Sequence, residues 1–178
     1  MKTSVEVINV STEESNVNPG DLEGKQAPDF ELPATTGENI RLSDYQGQNV
    51  ILYFYPKDNT PGCTTEACDF RDALPELNDK NVKVLGVSPD SMKKHENFTA
   101  KHELSFPLLS DEEQEAANAY GVWKWKKNFG KEYLGIVRST FFIDTEGVVQ
   151  KVWDEVKVKD HIGEVSRYVD EFLSSSKK

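Results

Sequence analysis

Between Asn49 and Val87 the chain carries two apolar runs with a helical stretch between them, and no other feature restricts the fold as much. Val50-Ile51-Leu52-Tyr53-Phe54-Tyr55 and Val82-Lys83-Val84-Leu85-Gly86-Val87 have the length and composition of buried strands, and residues 63 to 77 read as an amphipathic helix. A strand, a helix and a strand in this order predict a parallel pair joined by a right-handed crossover. The first strand stops at Pro56, and a turn-rich segment, Lys57-Asp58-Asn59-Thr60-Pro61-Gly62, leads to Cys63 at the helix start. Functional groups in open α/β sheets gather beyond the carboxyl ends of the strands, which is where Cys63 falls. Unpaired N–H groups and the positive end of the helix dipole favour an anion there, and thiols so placed ionise more readily than a free cysteine. Cys63 is therefore a candidate nucleophile.

The remaining segments complete the layout. Residues 1 to 22 are polar and read as a loosely held extension with a short strand at Val5–Val10. Two short alternating runs around Thr36-Gly37 predict a β-hairpin near the start of the domain, which spans 23 to 178. Ser91 or Asp90 is placed to cap a helix ending near His102, Phe106 to Leu109 reads as a short strand, and Glu112 to Tyr120 as a short helix. Trp123 to Gly135 reads as a basic, aromatic loop. Ser139 to Asp144 and Val148 to Glu155 flank a turn as a second hairpin, and an amphipathic helix from Asp160 to Ser174 ends the pattern. This order is that of an α/β, thioredoxin-like fold, with a central mixed β-sheet flanked by helices and an N-terminal β-hairpin.

Charge and cysteine content narrow the chemistry. A formal net charge of −10 over 178 residues argues against binding a nucleic-acid backbone. No long apolar run is present to span a membrane, and the first residues lack the basic-then-apolar pattern of a signal peptide, so the expected location is the cytoplasm. Cys63 and Cys68 are the two cysteines, too close in sequence for the loop-closing staple of a secreted scaffold. Redox chemistry and metal binding both stay open to such a pair. Zinc is the weaker choice, because His95, His102 and His161 form no ligand pattern near the thiols; His95 and His102 read as solvated on a polar helix.

The residues that bear on this choice are Pro56-x-x-x-Thr60-x-x-Cys63 and the longer TPGCTTEACDFRD, with APDFELP upstream and YLGIVRSTFFID downstream. They resemble the peroxiredoxins, and within them the peroxiredoxin Q, or bacterioferritin-comigratory, group. The resemblance runs from about Gly24 to Phe172. It implies a thiol-dependent peroxidase active on hydrogen peroxide and alkyl hydroperoxides, with no cofactor and no metal, serving as an antioxidant in cell redox homeostasis. Cys63 would be the peroxidatic thiol, Thr60 would hydrogen-bond at the site, Arg138 would stabilise thiolate and peroxide, and Pro56 would shield them. Glu66 would steady the arginine. Cys68 would resolve the oxidised Cys63 through an intramolecular disulfide, regenerated by thioredoxin or a similar dithiol, and the protein would be a monomer.

Each residue also has a plainer reading. An isolated cysteine is often a small buried hydrophobe. Cys68 fits as helix packing, Arg138 as a strand-end surface charge, and Glu66 as an acid that favours a first helical turn in its own right. Asp44 and Asp58 resemble turn residues. Two rival functions share the fold: a general disulfide oxidoreductase, for which Cys-x-x-Cys rather than Cys-x-x-x-x-Cys is usual, and a non-enzymatic redox switch.

Overall fold

The computed structural model describes residues 13 to 176, so the strand expected at Val5–Val10 lies outside the described residues. β1 (Glu31–Pro33) and β2 (Asn39–Arg41) form the expected antiparallel hairpin. β3 (Asn49–Phe54), α1 (Pro61–Asp79) and β4 (Val82–Ser88) form the strand–helix–strand unit, with β3 and β4 parallel from Asn49↔Val82 to Phe54↔Val87. α2 (Met92–His102) starts at Ser91, whose hydroxyl accepts from Lys94 N–H, and β5 (Leu108–Ser110) follows.

α3 covers only Glu115–Ala119, shorter than the expected 112–120. The Asp111 carboxylate accepts from Ala116 and Ala117 N–H, which fixes the helix start at this point. β6 (Trp123–Asn128), β7 (Lys131–Ile136), β8 (Ser139–Ile143), β9 (Val149–Trp153) and α4 (His161–Ser176) complete the chain.

Five strands make the central mixed sheet, in the order β5-β4-β3-β8-β9. Every residue of β3 is buried, as its position in the middle of the sheet requires. Alternate side chains supply two cores. Val50, Leu52 and Phe54 pack with Ala116, Tyr120 and the N-terminal hairpin, while Ile51, Tyr53 and Tyr55 pack with α1, α2 and α4.

The segment Trp123–Gly135, expected as a loop, is instead the antiparallel hairpin β6–β7. Its central turn residues, Phe129 and Gly130, have φ of +54° and +80°, the left-handed pair a two-residue hairpin needs. An aromatic residue in place of the usual Asn or Asp concealed that turn, and lysines alternating with tryptophans concealed the strand.

The described end of the extension lies against this hairpin. Ser15 is buried, its N–H donating to Trp123 C=O and its hydroxyl to Asn118 C=O. Gly121, at φ +78°, passes so close that a Cβ there would stand 2.5 Å from Val17 O. These are backbone and serine contacts, which leave no apolar periodicity in the sequence.

Candidate active site

The turn between β3 and α1 places Thr60 at the helix N-cap, Pro61 at the first helical position and Cys63 in the first turn, where N–H groups have no upstream carbonyl within the helix. Cys63 is 2% exposed. Arg138 arrives from the short link between β7 and β8, its carbonyl held by Val156 N–H at 2.9 Å. Its guanidinium divides between two groups on α1: Nη2 donates to Cys63 Sγ at 3.3 Å and Nη1 to Glu66 Oε1 at 2.6 Å. Glu66 and Cys63 are three apart on one helix, so one planar fork reaches both. Gly62 makes the approach possible, because a Cβ there would stand 3.2 Å from Nη2.

The electrostatics of the pair are unequal. Burial pushes the Glu66 carboxyl up to about 7 even though Arg138 pulls the other way. Burial also opposes the Arg138 charge, but Glu66 and then Cys63 outweigh it and hold the guanidinium pKa above its ordinary value. The guanidinium has two acidic groups beside it, Glu66 and Cys63, whereas the buried Glu66 carboxyl has Arg138 alone to favour its charge. Glu66 Oε2 and Tyr53 OH are both buried with no hydrogen-bond partner among the described residues.

Of the other expected residues, Pro56 and Arg138 lie in the wall of a groove of about 750 Å³, with Lys126 and Val137. A cavity of about 320 Å³ at the opposite end of β3, between Ala27, Ser43 and Gly147, contains none of these residues. The Thr60 hydroxyl donates to Lys57 C=O at 2.8 Å, bracing the turn rather than touching sulfur. Cys68 is half-buried on the same helix, its Sγ 4.0 Å from His102 Nδ1. Both thiols are free. Five residues of regular helix separate their Cα atoms by roughly 8–9 Å.

Two expectations for the histidines change. His95 is not solvated: it is fully buried, with both ring nitrogens in contact with oxygen. His102 rests its ring edge on Phe98 and its carbonyl on Arg71 Nη1. The capping signal at Ser91 placed α2 correctly, but nothing in it announces that a lone histidine faces inward. Lys126 is a site residue that the sequence reading left in a solvated loop. It is half-buried with Nζ donating to Ile136 C=O, and burial followed by the neighbouring Arg138 lowers its pKa, against the pull of Cys63. Recognising the β6–β7 alternation would have found it. Among the described residues, no group of three or more His, Cys, Asp or Glu is placed to hold a metal ion, and no helix is long and apolar enough to cross a membrane.

Comparison with known proteins shows the family of the chain. Residues 23–152 match the model of the AhpC/TSA family. The chain is 58% identical over 141 residues to peroxiredoxin Bcp of Bacillus subtilis, covering 79% of this chain and 90% of that protein. It resembles the solved structure of Xanthomonas campestris bacterioferritin comigratory protein, studied for alkyl peroxide reduction, at a TM-score of 0.77 and 43% identity over 80% of this chain and 91% of that one. A Xylella fastidiosa PrxQ mutant is similar at a TM-score of 0.75 and 35% identity, over 94% and 98% of the two chains.

Proposed function

The chain belongs to the AhpC/TSA family and is a peroxiredoxin, a thiol-dependent peroxidase, and from that premise we propose that Cys63 is the thiol that attacks the peroxide. The observation that carries this reading is the 3.3 Å contact between Arg138 Nη2 and Cys63 Sγ at a helix start. Thiolate attack on one peroxide oxygen forms an S–O bond and breaks the O–O bond; the departing oxygen leaves with the electron pair and takes a proton as water or alcohol. Charge develops on that oxygen beside Arg138 and the first-turn N–H groups, fixed donors that need little reorganisation. Pro56 forms part of the groove wall that Arg138 shares, Thr60 braces the turn that delivers the thiol, and Glu66 orients the guanidinium.

The sulfenic acid of Cys63 then condenses with the Cys68 thiol, releasing water and forming a disulfide. A disulfide tolerates no more than about 7 Å between Cα atoms. The first turns of α1 therefore unwind before the bond closes, which also brings the sulfurs to a surface where thioredoxin or a similar dithiol reduces them. Substrates are hydrogen peroxide and alkyl hydroperoxides, a class supported by the Xanthomonas neighbour. The catalytic domain covers 23–178 with 1–22 as an extension, and the protein acts as a cytoplasmic monomer.

Peroxide consumption with a thioredoxin system, comparing the parent with Cys63→Ser, tests the assignment. The variant is expected to fall to background, since a serine hydroxyl is scarcely ionised at neutral pH; substantial turnover would remove Cys63 from the chemistry. Amide exchange over residues 62–74 tests the pairing. Faster exchange in the disulfide form is expected, and equal protection in both forms would exclude a Cys63–Cys68 bond.

A further inference from the structure

The turn that delivers Cys63 rests on a second buried pair, a carboxyl group against an imidazole, that the peroxide chemistry does not use. Asp58 lies in that turn with its side chain 1% exposed, and its Oδ2 is 2.6 Å from Nδ1 of His95 on α2, which is fully buried. Asp58 Oδ1 accepts from Tyr55 OH at 2.6 Å, and Asp58 N–H donates to Asp90 Oδ2 at 2.6 Å. His95 Nε2 is 3.0 Å from Leu109 C=O on β5. Asp58, through its carboxylate and its N–H, and His95, through its second ring nitrogen, thus join the end of β3, the turn after β4, α2 and β5 to the four residues that precede the helix.

Proton counting limits what this cluster does. The Leu109 carbonyl only accepts, so His95 Nε2 carries a hydrogen, and one further proton lies between Nδ1 and Asp58 Oδ2. Both ring nitrogens are occupied. No lone pair remains for a metal, and none faces the reacting sulfur, so the cluster is suited to holding geometry rather than to proton transfer. What it holds is a sharply turned backbone that the Thr60 hydroxyl on Lys57 C=O also braces: Asn59, the residue after Asp58, has φ of +62°. A left-handed non-glycine residue persists only where its surroundings fix it.

We propose that Asp58 and His95 are positioning residues for the peroxidase reaction: their bond fixes residues 57–60 so that α1 presents Cys63 to Arg138. The proposal rests on the reading of Cys63 as the reacting thiol. Removing the bond leaves Cys63, Arg138 and Glu66 intact but displaces the first turn of α1, and a misplacement of about 1 Å is enough to cost up to about a hundredfold in rate.

The amides of asparagine and glutamine separate this role from space-filling. An asparagine amide reaches the position of Nδ1 and keeps a donor on Asp58; a glutamine amide reaches that of Nε2 and keeps only the bond to Leu109. The dithiol protein is mixed with one equivalent of hydrogen peroxide, the reaction is followed by tryptophan fluorescence, and melting is measured alongside. His95→Gln is expected to react about ten- to a hundredfold more slowly than the parent, and His95→Asn within about threefold of it. Equal rates for the two variants, whether both slow or both fast, would overturn the proposal. Tyr55→Phe removes one donor from Asp58 while keeping the ring, and serves if either histidine variant fails to fold. It is expected to react several-fold more slowly with a melting temperature lowered by only a few degrees; a parental rate would overturn the proposal. A parent that does not react with peroxide at all overturns the reading of Cys63 and this inference with it, whereas a reactive parent with unresponsive variants overturns this inference alone.

Discussion

Two buried pairs, each a carboxyl group against a nitrogen side chain, flank the turn into α1, and they are finished differently. In the pair of Asp58 and His95, both carboxylate oxygens and both ring nitrogens have partners, and neither side chain is more than 1% exposed. In the pair of Glu66 and Arg138, one carboxylate oxygen has no partner, the guanidinium side chain is 17% exposed at a groove, and one of its nitrogens is given to sulfur. A buried pair offsets its desolvation only when every lone pair and proton is used. The closed pair meets that condition and fits scaffolding. The open pair does not, and its spare capacity lies where charge has to appear and disappear as thiolate, peroxide and sulfenic acid succeed one another.

Disturbing the closed pair is therefore expected to cost more in stability, and disturbing the open pair more in rate. Asp58→Ala leaves His95 Nδ1 and Tyr55 OH buried without their partner and is expected to lower unfolding free energy by about 2–6 kcal/mol in urea denaturation, about 1–3 for each orphaned group. A loss below about 1 kcal/mol would show the closed pair to be dispensable. Arg138→Met is expected to slow the reaction with peroxide by about 10²–10³, equivalent to about 2.7–4 kcal/mol of transition-state stabilisation. Its unfolding midpoint should move much less than that of Asp58→Ala, because Glu66 can take up a proton once its cation is gone.

Glu66→Gln sharpens the comparison through pH. Folding raises the Glu66 carboxyl from 4.5 to about 7, so the folded chain binds more protons than the unfolded chain between those values. Stability therefore falls as pH rises through this window, and above it the whole penalty is present. The glutamine variant lacks this slope and is expected to gain on the parent by up to about 3 kcal/mol between pH 4.5 and pH 8, read as the difference of two denaturation curves at each pH. A constant difference would mean that Glu66 is charged throughout.

The smallest effect expected is at Gly62. Gly62→Ala should favour the helix by up to about 1 kcal/mol. Its Cβ also presses on Arg138 Nη2, and a few-fold slower reaction with peroxide is expected for this more stable protein. Stopped-flow rates and melting temperatures together check both halves.

The sequence by itself determined the parallel unit β3–α1–β4, the position of Cys63 beyond a strand end, and the family resemblance carried by Pro56, Thr60 and Cys63. These are local properties: apolar runs, a proline-rich turn and a helix start express themselves over a few neighbouring residues. Tertiary structure decided what lies far apart along the chain. Arg138 meets Cys63 across 75 positions and His95 meets Asp58 across 37, and neither distance can be read from periodicity. The same limit applied to Trp123–Gly135, where lysine stems and an aromatic turn gave the pattern of a loop, while pairing of β6 with β7 turned it into part of the wall beside Arg138. Propensity reports what a segment does alone, and burial against a distant partner then sets the charge, the exposure and the use of each polar group.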